Sequence, residues 1–202
     1  MNKIKKIYFL FFFILLFLPA KISYGFLTDG IVASVDNTPV TLNELYFLFN
    51  FDKINNLKYR KINKTIPKSK LKHILNIYIN RLAILKWEEK TGGLSVSENK
   101  VNLLAASFRK KFKIIHKLKN FNSFLAKFGY NNKDFYLFCR NILIEKTFIK
   151  ERLDLFLFTL ENTLKISQSS KNKYAKELSI KLKDMLFNLK KHLKIEINDN
   201  FY

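Results

Sequence analysis

The stretch Gly30–Leu45, GIVASVDNTPVTLNEL, decides the reading of this chain, because it holds a strand, a turn and a helix start in sixteen residues. Ile31, Ala33 and Val35 alternate with Val32, Ser34 and Asp36, the period of a half-buried strand. Asp36-Asn37-Thr38-Pro39 is turn chemistry: Asn tolerates the left-handed conformation and Pro presets its own φ. Thr41 then precedes an apolar run, with Glu44 three residues on. That is the capping-box spacing, in which the Thr hydroxyl accepts from the third helical amide while the Glu reaches back.

Downstream, the period changes from two to 3.6. A first helix is expected over Leu42–Asn55, with Leu42, Leu45, Leu48 and Phe49 on one face and Phe47 and Phe51 widening it. Tyr59–Lys68 is polar and basic, and Pro67 marks the next helix start. A second helix is predicted over Ser69–Thr91, closed by Gly92-Gly93. Ser97 is a helix cap with an acid behind it, opening a third helix to Ile115 whose stripe is Val101, Leu104, Ala105, Phe108 and Phe112. Asn122 is read as the cap of a short helix over Ser123–Phe128, closed by Gly129. Asn131 or Asn132 caps a long helix from Lys133 to beyond Leu153. Its pattern frays over Leu155–Thr163, and Leu164–Ser170 reads as a connection. A last helix over Lys171–His192 carries Tyr174, Leu178, Leu182, Met185, Leu186 and Leu189 on one stripe.

After it, Leu193, Ile195 and Ile197 alternate with Lys194, Glu196 and Asn198, a second short strand. A lone exposed strand at each end of a helical chain is a liability. Pairing Gly30–Val35 with Leu193–Asn198 removes it. The expected fold class is therefore mainly α, with a small two-stranded sheet joining the N- and C-terminal strands. Five Gly and three Pro in 202 residues agree, since a sandwich of many turns needs more.

The first residues have the look of an export signal. Lys3, Lys5 and Lys6 precede an unbroken apolar run, Ile7–Leu18, and Ser23-Tyr24-Gly25 offers small residues where a signal peptidase reads. Twelve apolar residues fall short of the roughly twenty that a membrane span needs. The reading is a signal peptide over residues 1–25 and one domain over 26–202, which places the mature protein in the periplasm. The alternative is an inner-membrane anchor formed by residues 7–18.

Formal net charge is +21, which invites a nucleic-acid partner. Two observations disfavour one. Lys is spread along the whole chain with little Arg, and the chain is also rich in Asn, Ile and Phe, which share AT-rich codons with Lys. Attraction to an anionic membrane surface or to acidic client segments is the better-supported consequence. Cys139, the single cysteine, excludes an internal disulfide and sits in an apolar helical pattern, so it reads as a buried inert thiol. His73, His116 and His192 lie far apart with no acid or Cys at ligand spacing, and no nucleotide or nucleophile fingerprint occurs. No metal, cofactor or catalytic residue is expected. Glu88-Glu89 reads as a solvated acid pair.

Several of these segments also carry a resemblance. The strand, turn and Pro-Val-Thr helix start of Ile31–Leu45 resemble the opening of the SurA-type periplasmic chaperone and peptidyl-prolyl isomerase family, with Asn37-Thr38 where that family usually has Asn-Gly. Arg81–Leu85 is similar to its "R/E-L-L-L" segment, Leu94–Glu98 to "G-I-x-V-S-D/E-E", and Phe121–Tyr130 to "F-x-x-x-L-x-x-x-G". Phe135–Lys146 is similar to "F-R-x-x-L-R-x-x-L-L-I-E-K". These features follow one another in the family's order, from Gly30 to Leu153. The resemblance implies a helical domain completed by a returning C-terminal helix and strand, and chaperone activity on envelope proteins. It does not carry over isomerase activity. The parvulin-type domain that supplies it needs on the order of ninety residues, and seventeen stand between Leu153 and Lys171.

The expected function is therefore an exported holdase, independent of ATP, for unfolded or partly folded envelope or outer-membrane clients. The alternative is an assembly subunit docking one dedicated envelope partner. The chain has 21 Phe, more than a core of this size readily hides. Phe47, Phe51, Tyr130, Tyr136 and Phe156 are the aromatics read as client-binding. The competing reading of the same residues is that they fill the core.

Overall fold

A computed structural model describes residues 30–56, 66–116, 120–164 and 171–198, with side chains for all of these except 160–164 and 171–174. The segment read as a signal peptide (residues 1–25), the basic link before Ile66 and the connection after Leu164 lie outside the described residues. Chain order is β1 (Ile31–Val35), β2 (Thr38–Thr41), α1 (Leu42–Asn55), α2 (Lys68–Thr91), α3 (Glu98–Ile115), α4 (Phe121–Ala126), α5 (Asn132–Leu164), α6 (Lys171–Lys191) and β3 (Ile195–Ile197). The protein is mainly helical, and the strands from the two ends of the chain pair.

The sheet has three strands in the order β2-β1-β3, one more than predicted. The turn is tighter than the sequence suggested. Only Asp36 and Asn37 turn, both at positive φ (46° and 63°), the pattern of a two-residue hairpin that matches strand twist. Thr38-Pro39-Val40-Thr41 is thereby released to run back along β1 as a strand. Pro39 is tolerated because β2 is an edge strand, where a missing N–H breaks no ladder. An irregularity in register between Ile31 and Ala33 also re-aims the first residues of β1. Val32, Ala33 and Val35 are buried, and Ile31 is exposed, so the alternation read from the sequence breaks at the start of the strand.

On the other side, β1 meets β3 antiparallel, Ala33 opposite Ile197 and Val35 opposite Ile195. The Asp36 amide donates to the Lys194 carbonyl at 2.9 Å, and the Asn198 amide to that of Val32 at 3.0 Å. The Asp36 carboxylate accepts from the Lys194 amide at 2.8 Å, which ties the turn to the tail. Leu193 and Ile195 pack on the main core.

Most caps stand where local chemistry put them. Thr41 and Glu44 form the full capping box: the Glu44 amide donates to Thr41 Oγ1 at 3.3 Å, and the Thr41 amide to Glu44 Oε2 at 2.8 Å. Ser97 caps α3, and Gly92, at φ 61°, ends α2. Asn131 settles the start of α5 by accepting from the amides of Lys133 and Asp134. The cap of α4 is a correction: Asn120, not Asn122, accepts the amide of Asn122, and the helix begins at Phe121. A second correction concerns α5, which continues through Leu164 where fraying was expected. The Leu155–Thr163 run lacks Gly or Pro, so nothing breaks the helical hydrogen bonds even though Leu155 and Phe158 face solvent.

The main core lies between the sheet, α1, the first half of α2, α3, α4 and the first half of α5. Its centre is aromatic. Phe47 is stacked on Tyr130 with centroids 4.3 Å apart and meets Phe138 edge-on at 4.8 Å, while Phe51 stacks on Phe108 at 4.4 Å. The α1 face is rotated from the expected one: Phe47 is fully buried and Phe49 only partly. A helix apolar on nearly every side has no unique inward face, and the rings of α4 and α5 select it. A smaller cluster, Ile84, Leu94, Ile144 and Phe148, receives Met185, Leu186 and Leu189 of α6.

Candidate functional site

Glu44 links the strand-helix start to α2. Its Oε1 accepts from the buried Tyr78 hydroxyl at 2.9 Å while Oε2 completes the cap. Burial, and then the Glu44 charge, hold the Tyr78 phenol well above its ordinary range. Three residues further along α2, Arg81 lies on the same buried stripe. It answers Glu145 of α5, Nε donating to Oε2 at 2.6 Å, with side chains 8% and 16% exposed. These two elements fix how α1, α2 and α5 sit, and they leave a cleft between the three helices.

That proximal cleft encloses about 480 Å³. Its walls are Leu48, Phe49 and Phe51 from α1, Ile74 and Ile77 from α2, and Ile142 and Ile149 from α5. Asp52, Lys70, His73 and Lys146 also border it, and Arg81 and Glu145 line it as the buried pair. Lys53 stands 3.9 Å above the Phe49 ring, and Lys111 closes the end of α1 by donating to the Asn55 carbonyl and side chain.

A distal cleft of about 550 Å³ opens between α2, α5 and α6. Trp87, Phe148, Leu155, Phe156, Met185 and Leu189 line it, with Arg152, Lys181, Asp184, Asn188 and His192 as its polar members. Arg152 lies over both the Trp87 and Phe148 rings, at 5.2 and 5.4 Å, so its charge caps an aromatic wall. Exposed apolar side chains occur on both helices beside it: Leu155 and Phe158 on α5, Ile180 and Phe187 on α6. Phe158 is 65% exposed.

The five aromatics read as client-binding are dispersed by the fold. Phe47 is enclosed in the core and unavailable to a ligand. Phe51 is 5% exposed and borders the proximal cleft while stacking inward. Tyr130 and Tyr136 are half-buried against the core. Phe156 lines the distal cleft. Sequence reasoning passed over the buried ion pair of the proximal cleft, Arg81 and Glu145, although both lie in quoted motif segments. A charge on an otherwise buried helical stripe was the available signal, because such a group needs a partner.

Cys139 is buried, and burial pushes its thiol up to about 12. Among the described residues no three His, Cys, Asp or Glu side chains group as a metal site, and no helix is long and apolar enough to cross a membrane. No protein-family model matches this chain, and no curated protein is significantly similar to it.

Proposed function

We propose that this chain is an exported, ATP-independent holdase that binds unfolded or partly folded envelope proteins, outer-membrane precursors among them, without isomerase activity. The observation that carries the reading is the pair of clefts, each walled by aliphatic and aromatic side chains and edged by cations. Contact with such walls depends on apolar area rather than on a fixed sequence, as a client of varied composition requires. The surrounding Lys and Arg raise encounter rates with acidic segments. The run of SurA-like segments from Gly30 to Leu153, and the returning tail, support the same reading.

The test is aggregation of an unfolded outer-membrane-type client, followed by light scattering at about 0.15 M salt, with the protein as purified from an exporting host. Suppression near equal stoichiometry that survives added salt is expected. Loss of suppression on adding salt would leave the charge acting alone, and no suppression at all would refute the holdase. The second reading, a subunit docking one dedicated partner, is favoured by the exposed Leu155, Phe158, Ile180 and Phe187. It requires one stoichiometric partner in a pull-down and no effect on scattering.

A further inference from the structure

The outer side of α6 carries two large apolar side chains that the described residues leave open to solvent. Ile180 is 49% and Phe187 57% exposed, and their spacing of two turns puts them on one line, about 10 Å apart along the axis. The opposite side holds the helix to the body, where Met185, Leu186 and Leu189 pack on the smaller core cluster. Cations border the open line. With about 3.6 residues per turn, Lys176, Lys183 and Lys190 fall on one flank of it and Lys191 on the other. The Lys191 ammonium stands 4.7 Å from the centre of the Phe187 ring. Among the described residues no carboxylate pairs with any of these four lysines. The two acids of α6, Glu177 and Asp184, lie a turn-pair apart toward the distal cleft, which Asp184 lines.

Charge and apolar area together select what covers this surface. A second copy meeting it face to face would set four cations against four. A nucleic-acid backbone would satisfy the lysines, but it would hold Ile180 and Phe187 against a layer of phosphates, and α6 has no Arg to grip them bidentately. An anionic bilayer takes both kinds of side chain at once. The ring and the branched aliphatic enter the boundary between headgroups and acyl chains, while the ammonium groups stay among the phosphates at the end of their flexible stems. A formal net charge of +21 adds attraction at longer range.

We infer that α6 lies flat on an anionic lipid surface, with Ile180 and Phe187 inserted below the headgroups and Lys176, Lys183, Lys190 and Lys191 on lipid phosphates. None of these six residues lines either cleft, so the surface is separate from the walls proposed to hold a client. The inference does not depend on the holdase reading. It adds a place of work to it.

The test is co-sedimentation of the protein, as purified from an exporting host, with vesicles of phosphatidylcholine alone or with about 30 mol% phosphatidylglycerol, at about 0.15 M salt. Binding to the anionic vesicles is expected, and binding to the neutral ones at least about tenfold weaker. Phe187→Gln, an exposed site given a good helix former, should weaken binding roughly tenfold. Lys183→Gln should weaken it about fivefold. Leu103→Gln is the control: Leu103 is 70% exposed on α3, with Lys100 and Lys110 exposed on the same helix, and its loss should leave binding unchanged. No binding to anionic vesicles overturns the inference and leaves the holdase standing. Binding that Phe187→Gln does not weaken, or that Leu103→Gln weakens as much, overturns it too, because the general charge or the N-terminal apolar run then does the work. Poly-glutamate bound as tightly as the anionic vesicles, with the same loss in Phe187→Gln, gives the surface to an acidic protein segment instead and also overturns it.

Discussion

Replacing Glu145 by Leu is the sharpest test of the packing that forms the proximal cleft. The substitution strands the Arg81 guanidinium in a site where it is 92% buried, with Nε losing its 2.6 Å partner and Nη1 already without one. Breaking a buried ion pair from one side costs about 3–5 kcal/mol, because the remaining charge is left uncompensated. Glu145 is 16% exposed, so water relieves part of that cost and the lower end, about 3 kcal/mol, applies. For a chain of this length that is a fall in Tm of ~6–12 °C. The partner experiment is the double variant Arg81→Met with Glu145→Leu, which removes both charges and fills the space with apolar atoms. It should return to within about 1 kcal/mol of the unaltered protein, a coupling of about 2 kcal/mol or more. Urea unfolding followed by far-UV circular dichroism reads both, provided the slope with denaturant stays constant. A Glu145→Leu protein less than about 1 kcal/mol destabilised, or a double variant no better than the single, would refute the reasoning.

Deleting residues from Leu193 onward removes β3 and two half-buried aliphatics, and bares the edge of β1. A loss of roughly 3–5 kcal/mol is expected, and an unchanged melting transition would count against the pairing. Thr41→Ala should cost about 1 kcal/mol as a lost cap, whereas Glu44→Ala should cost about 2 kcal/mol because the Tyr78 hydroxyl loses its acceptor too; equal effects in chemical denaturation would deny Glu44 its second role. Cys139 should resist alkylation at pH 8 in the folded protein and react once unfolded, as mass spectrometry would read. Folding raises the proton affinity of Cys139 and of Tyr78, so above their ordinary values the unfolded chain binds fewer protons than the folded one. Stability from these groups is thus complete below about pH 9 and declines as pH rises toward 12. A melting temperature constant across that window would contradict the burial of both.

What the sequence determined by itself was local or forced. Thr41 with Glu44, Ser97, Gly92 and Gly129 act within four residues of themselves, so their caps form wherever the chain is placed. The pairing of the two ends was legible for a different reason: two alternating segments stood out in a helical chain, and each needed an edge covered. Tertiary structure decided what no window of sequence contains. α1 is apolar on too many sides for a 3.6-residue period to choose between Phe47 and Phe49, and the choice fell to rings more than seventy residues away, on α4 and α5. β2 was hidden because Pro39 argues against a strand until an edge position makes its missing N–H harmless. The Arg81–Glu145 pair joins residues 64 apart. Each member alone reads as an ordinary helical charge, and only desolvation by the surrounding helices makes the pair an organising feature.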